Sequence, residues 1–243
     1  MKTEKISSGS YDLNKWLYGG YETDIITMIA GPPGSGKTNF VMLAACSQAK
    51  KAHKVLFIDT EGGFSVDRVK QIVGEDYEKI LENILILNPT NFTEQKKVFS
   101  TLLEQVKKGD INLIIVDGMA MLYRLELGDA VSLKDDEKVK QINREVAKQM
   151  RDLAEIARKQ NIPVLITNQV YSQFLSEEEL KQGVKREINI VGGDLFKYWS
   201  KCIIELSNEN KKRTARLIKH RSLPEKELAF EIKEKGIFKR GWI

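Results

Sequence analysis

Cysteine, histidine, proline and long apolar runs are all scarce in this 243-residue chain. Each scarcity removes a class of protein. Cys46 and Cys202 sit in separate apolar runs, with no partner at zinc-like spacing. They exclude a disulfide-stapled secreted domain and a Cys/His metal finger, and they read as buried thiols of a reducing compartment. Five prolines and no low-complexity tract leave no stiff linker between domains. No run approaches the ~20 apolar residues that a membrane span needs. The N-terminal "MKTEKISSGS" lacks the apolar core of a secretory signal. The expectation is a soluble, cytoplasmic protein without membrane association, built as one domain over residues 1–243.

Charge, by contrast, is abundant and uneven. The net charge is +5, yet Ser207 to Ile243 carries eleven Lys and Arg against five Glu, leaving the rest of the chain at −1. A basic end on a near-neutral body fits a surface that faces a polyanion such as nucleic acid. It fits equally well short antiparallel strands with lysines on their solvent face.

The apolar pattern sets the fold class. "DIITMIA" (24–30), "KVLFID" (54–59), "NILILN" (83–88), "INLIIVD" (111–117) and "IPVLITN" (162–168) are short continuous apolar runs. Separated by helical stretches, they read as parallel strands covered on both faces. Val139, Ile142, Val146, Met150, Leu153 and Ala157 recur at steps of three and four, which is one core-facing helix stripe. "SGSYDLNKWLYGG" reads as a short helix capped by Ser10 and ended by Gly19 and Gly20. After about Lys201, "KCIIEL", "RTARLI" and "ELAFEI" read as consecutive antiparallel strands. The expected class is α/β, with a mostly parallel central sheet flanked by helices and a C-terminal antiparallel extension.

Gly31 to Thr38, within "IAGPPGSGKTNF", matches G-x-x-x-x-G-K-[ST] between an apolar strand and a helix expected over about 37–50. Gly34 and Gly36 let the backbone curl so that its N–H groups point at phosphate oxygens, and the helix start adds its positive end. Lys37 is placed to reach the β- and γ-phosphates, and the Thr38 hydroxyl to ligate Mg²⁺. Ser35 and Asn39 belong to the same segment. Asp117 ends a buried strand at the edge where open α/β sheets bind ligands. It holds Mg²⁺ there, or caps the following helix, and the two roles are compatible.

"LNKWLYGGYETDIITMIAGPPGSGKT", "VLFIDTEGGFSVDRV", "LIIVDGMAMLYR", "VLITNQV" and "ARLIKHRSLPEKELAFEI" occur in this order. Together they resemble the RecA-type recombinase core in its archaeal and eukaryotic branch, from about Ile6 to Gly236. The resemblance implies a RecA-like P-loop NTPase core and ATP with Mg²⁺ as cofactors. It matches Glu61 to the family's catalytic carboxylate, which orients the attacking water. It matches Arg68 to the arginine that stacks on adenine, and Gln169 to the residue that senses the γ-phosphate and relays it to a DNA-binding loop. Taken alone, Glu61 also reads as an exposed turn residue and Gln169 as a strand-end amide.

Three segments depart from that pattern. The positions of the family's DNA loops are about Leu127–Glu137 and Tyr171–Gly192. The first, "LGDAVSLKDDE", holds four acids against one lysine, and the second contains the acidic run Glu177–Glu179 beside Lys181, Lys185 and Arg186. Strand binding needs positive charge along the backbone, so efficient strand exchange is not expected here. Third, Lys219, His220 and Arg221 stand where the family reaches a neighbouring subunit's ATP. They read as a basic patch or a solvated turn ahead of an arginine finger.

The resemblance therefore implies a core-only paralogue without a separate N-terminal DNA-binding domain. The expected function is an ATP-binding accessory of homologous recombination and DNA repair, with weak Mg²⁺-dependent ATPase activity. Expected partners are single-stranded and branched DNA bound without sequence preference, the main archaeal strand-exchange recombinase, a Holliday-junction resolvase, and further copies of the chain. Nucleoid association follows from those partners. The alternatives are a DNA-stimulated strand-exchange enzyme and a KaiC-like signalling ATPase that ignores DNA. Paired glutamates are frequent in the latter, where this chain has Glu61 followed by Gly62.

Overall fold

The computed structural model describes residues 4–172, 188–209 and 212–241. It opens with a two-stranded antiparallel ribbon, β1 (Lys5–Ile6) with β2 (Tyr21–Glu22), around helix α1 (Tyr11–Trp16). The Ser10 hydroxyl caps α1 by accepting from the Leu13 amide at 3.3 Å. Gly19 and Gly20 follow at φ 121° and 113°, as the sequence requires of a helix stop.

The five apolar runs become β3 (Ile26–Gly31), β4 (Lys54–Asp59), β5 (Ile84–Leu87), β6 (Ile111–Asp117) and β7 (Val164–Ser172). All pair in parallel, in the order β3-β7-β6-β4-β5. Alternate residues serve two different cores, which is why the runs are continuous rather than alternating. In β4, Val55 and Phe57 join one cluster, and Leu56 and Ile58 join the other. The first cluster is closed by α1, α2 (Lys37–Ala49), α3 (Val66–Val73) and α4 (Tyr77–Leu81). The second is closed by α5 (Phe92–Gly109), α6 (Met121–Ser132), α7 (Asp136–Gln160) and α8 (Asp194–Trp199). The expected stripe lies on α7, with Ile142, Val146, Met150, Leu153 and Ala157 all buried. Cys46 and Cys202 are free and buried, and burial pushes both thiols up to about 12.

On the other side of β3 the sheet continues through β9 (Ser200–Glu209), β10 (Lys212–Lys219), β11 (Lys226–Lys233) and β12 (Gly236–Lys239). β9 is parallel to β3, and the remaining three are antiparallel hairpin partners. The antiparallel extension is thus present, with β12 added beyond the three expected strands.

Two boundaries differ from the sequence reading. Strand β7 runs on to Ser172, because β8 (Ile188–Ile190) pairs with its last three residues and satisfies their backbone. Gln169 is therefore inside a strand rather than closing one. The first expected loop, 127–137, is mostly helical: α6 extends to Ser132 and α7 begins at Asp136. Of the second expected loop, Glu177–Glu179, Lys181, Lys185 and Arg186 lie outside the described residues. Among the described residues, no helix is long and apolar enough to cross a membrane.

Candidate nucleotide site

The C-terminal ends of β3, β4, β6 and β7 come together at one edge of the sheet, and the motif residues lie there. Gly31 is the last residue of β3, and Gly36 is the N-cap of α2 in the left-handed region, at φ 109°. A Cβ on Gly36 would lie 2.6 Å from Ile232 Cδ1, so glycine is required for conformation and for space. Between them, the Ser35 hydroxyl is buried without a hydrogen-bond partner among the described residues.

Lys37 and Thr38 occupy the first turn of α2. Lys37 is buried, and its ammonium donates to the carbonyls of Gly31 and Pro32, at 3.0 and 3.1 Å. Burial lowers its pKa, opposed by the charges of Glu61 and Asp117. The Thr38 hydroxyl donates to one Asp117 oxygen at 2.8 Å, and the Thr167 hydroxyl donates to the other at 2.5 Å. Asp117 is fully buried at the end of β6, and burial pushes its carboxyl up to about 6. The two hydroxyl donors oppose that rise, and the nearby Glu61 and Asp59 charges add to it. A buried, high-pKa carboxylate beside a threonine hydroxyl is a hard-oxygen pair suited to Mg²⁺. Thr38 and Asp117 thus fit a metal that a nucleotide would bring.

Glu61 is held by its neighbours in the turn after β4. The Asp59 carboxylate accepts from the amides of Glu61, Gly63 and Phe64, at 3.2, 3.1 and 2.8 Å, which curls "DTEGGF" into a fixed loop. Gly118, at φ 86°, leaves room for this loop, since a Cβ there would sit 2.5 Å from Glu61 Cγ. The Gln169 side-chain amide donates to Glu61 Oε1 at 3.3 Å. The two residues read as exposed turn and strand-end groups are therefore joined to each other.

Arg68 is pinned from three elements. Its Nε donates to Asn39 on α2 at 2.8 Å. One terminal nitrogen donates to Gln71 and to the Glu234 carbonyl, both at 2.8 Å, and the other donates to the Lys233 carbonyl at 2.9 Å. The planar fork thus ties α2 and α3 to the β11–β12 turn, a geometry that lysine does not reproduce.

A cleft of about 490 Å³ is lined by Pro33, Gly34, Gly36, Thr38 and Asn39, with Lys37, Glu61, Gln169, Arg213 and Ile232 completing its wall. Gly31, Asp117 and Arg68 contact this wall through Lys37, Thr38 and Asn39 respectively. The sequence reading missed Asp59, Thr167, Arg213 and Ile232. A period-2 signal for Arg213 existed, because it is in phase with the buried Ala215 and Leu217 of the same strand.

The segment Lys219–Arg221 folds back on its own chain. Arg221 donates to Glu22 at 2.6 Å and, through both terminal nitrogens, to Asp24 at 3.0 and 2.7 Å. Lys219 donates to the Lys197 carbonyl at 2.6 Å. The His220 ring nitrogen accepts from the amides of Ser222 and Leu223, each at 3.1 Å. Of the readings left open, this geometry favours the turn.

A family model described as Rad51 matches residues 1–240. The chain belongs to the Rad51 family. It is also similar to proteins named "DNA repair and recombination protein RadB". One from Methanobrevibacter smithii is 42% identical over 230 residues, covering 93% of this chain and 92% of the relative. One from Methanosphaera stadtmanae is 38% identical, with the same coverage of both chains. One from Methanocaldococcus jannaschii is 39% identical, covering 93% and 98%. The expected kinship with archaeal recombinase paralogues therefore holds. The RecA-like fold belongs with this family, as does a place among proteins of DNA recombination and repair.

Proposed function

We propose that this Rad51-family chain is an ATP-binding accessory of homologous recombination, in which Mg²⁺-ATP acts chiefly as a switch and is hydrolysed slowly. In this reading Gly31, Gly34, Ser35 and Gly36 cradle the phosphates, and Lys37 leaves the Gly31 and Pro32 carbonyls to meet the β- and γ-phosphates. Thr38 and Asp117 hold the metal, which would neutralise phosphate charge. Glu61 orients the attacking water, Gln169 reads the terminal phosphate, and Arg68 with Asn39 flanks the base. The carrying observation is the 3.3 Å bond from Gln169 to Glu61, which links the residue assigned to orient water to strand β7.

Two further features support an accessory over an independent strand-exchange enzyme. The region matching the first DNA loop is mostly helix and acidic, and the flanking Lys138 is engaged by Glu126 at 3.0 Å. The segment that reaches a neighbour's nucleotide in the family is occupied within its own chain, through Arg221 with Glu22 and Asp24. DNA contact in this reading is electrostatic and without sequence preference, carried by the basic C-terminal extension. Partners are single-stranded and branched DNA, the main recombinase and a Holliday-junction resolvase, with nucleoid association as the consequence. Membership of the Rad51 family argues against a KaiC-like signalling ATPase.

The test is steady-state ATP hydrolysis with and without single-stranded DNA, beside DNA binding across a salt series. Slow turnover unchanged by DNA, with salt-sensitive DNA binding, supports the switch. Strong stimulation by DNA would make the chain a strand-exchange enzyme, and absence of DNA binding would revive the signalling reading.

A further inference from the structure

The structure assigns to Arg213 the task of reading the terminal phosphate from within the same chain, so that the C-terminal antiparallel extension distinguishes a nucleoside triphosphate from a diphosphate. This deepens the proposed function and rests on its nucleotide reading. Arg213 lies near the start of β10, opposite Phe230 of β11 and Asn208 of β9. It is in phase with Ala215 and Leu217, which pack into the core cluster that contains α2. The side chain thus projects on the α2 side, at the sheet edge where the phosphate loop ends, and it lines the same cleft as Lys37, Glu61 and Gln169.

Its hydrogen bonding carries the argument. The Arg213 Nε is buried and has no partner among the described residues. A buried guanidinium donor without an acceptor is costly unless something supplies the acceptor. The other arginine beside this cleft, Arg68, is different: its donors are taken by Asn39, Gln71 and the Lys233 and Glu234 carbonyls. Lys37 is occupied as well, by Gly31 and Pro32. Among the described residues, Arg213 is the cleft cation without a hydrogen-bond partner. A phosphate oxygen in the cleft is the complementary acceptor, and a guanidinium suits it better than an ammonium. Because β10 pairs with both β9 and β11, an arginine drawn toward the phosphate transmits occupancy to the whole extension. That extension also holds Ile232 against Gly36 and the turn clamped by Arg68.

The experiment compares Mg²⁺-ATP and Mg²⁺-ADP affinities by titration calorimetry for the parent chain, Arg213→Lys, Arg213→Gln and Lys37→Ala, with thermal melting as the folding control. The expected result for Arg213→Gln is about tenfold weaker ATP binding, the loss of one charge-assisted bond, with ADP within about twofold of the parent. Arg213→Lys should fall between the two. Equal losses for ATP and ADP, or no loss for either, would overturn the assignment while leaving the nucleotide site standing. A folded parent that binds neither nucleotide would overturn both, and that outcome is recognisable because Lys37→Ala would then change nothing. Should Arg213→Gln unfold, a folded Arg213→Lys that keeps the parent's ATP-to-ADP ratio overturns the assignment.

Discussion

The Gln169 amide donates to the Glu61 carboxylate at 3.3 Å, across 108 residues of sequence, and so ties strand β7 to the turn after β4. In the proposed reading, a γ-phosphate entering the cleft would compete with Glu61 for the Gln169 amide. Glu61→Gln keeps the size of the side chain and one acceptor oxygen but removes its charge. The expected outcome is ATP affinity within about threefold of the parent, with turnover reduced by on the order of a hundredfold or more. Equilibrium binding beside single-turnover hydrolysis checks this. Lost binding instead would make Glu61 a structural residue of the loop that Asp59 shapes.

Asp117 gives a pH dependence whose sign follows from burial. Its carboxyl is raised from 3.8 to about 6 in the folded chain, so the folded state binds more protons than the unfolded one between those values. The stability it contributes is present below about pH 4 and is lost as pH rises through about 6. Metal binding requires the ionised form, so Mg²⁺-dependent nucleotide stabilisation should weaken as pH falls through about 6. Asp117→Asn is expected to flatten the metal-free stability profile over that interval and to remove the Mg²⁺ effect at every pH. Thermal melting between pH 4 and 8 (roughly the span over which such a carboxylate titrates), with and without Mg²⁺-ATP, reads both effects.

The extent to which this was legible in sequence differs from residue to residue. The strand β4 was readable because both of its faces are buried, and α7 because its stripe repeats at helical spacing. Lys37, Thr38 and Asp117 were readable because a contiguous motif or a strand end carries them. Asp59 was hidden in the same "IDTEGG" because its role is to accept three backbone amides, and side-chain type alone does not signal that. Arg213 and Ile232 reach the cleft only through the pairing of β9, β10 and β11, a long-range fact. Arg221 was ambiguous because its partners, Glu22 and Asp24, lie about two hundred residues away.

Arg68 is expected to matter for architecture as well as for the nucleotide. Its donors join Asn39, Gln71 and the carbonyls of Lys233 and Glu234, so Arg68→Ala frees the β11–β12 turn from the sheet edge. A loss of about 1–2 kcal/mol in stability and about tenfold in nucleotide affinity is expected. Arg68→Lys should recover little of either, since a point charge cannot span those acceptors. Denaturant melts and nucleotide titrations separate the two effects.

Arg221 supplies the discriminating variant for the segment that departs most from the family pattern. Glu22 is only 3% exposed and lies 2.6 Å from the Arg221 Nε, with the His220 ring at 3.8 Å. Burial lowers the His220 pKa, and the Glu22 charge opposes that fall. Arg221→Ala therefore leaves the buried Glu22 carboxylate with only Lys5, at 4.0 Å, as an ion partner and should cost about 1–3 kcal/mol of stability. ATP turnover per folded molecule should be unchanged, because Arg221 is absent from the cleft wall. An arginine finger would show the opposite pattern, with stability retained and turnover lost at concentrations where subunits associate. The double variant Glu22→Gln with Arg221→Ala sharpens the comparison. If the deficit comes from the uncompensated charge, removing that charge should restore most of the stability lost in the single variant.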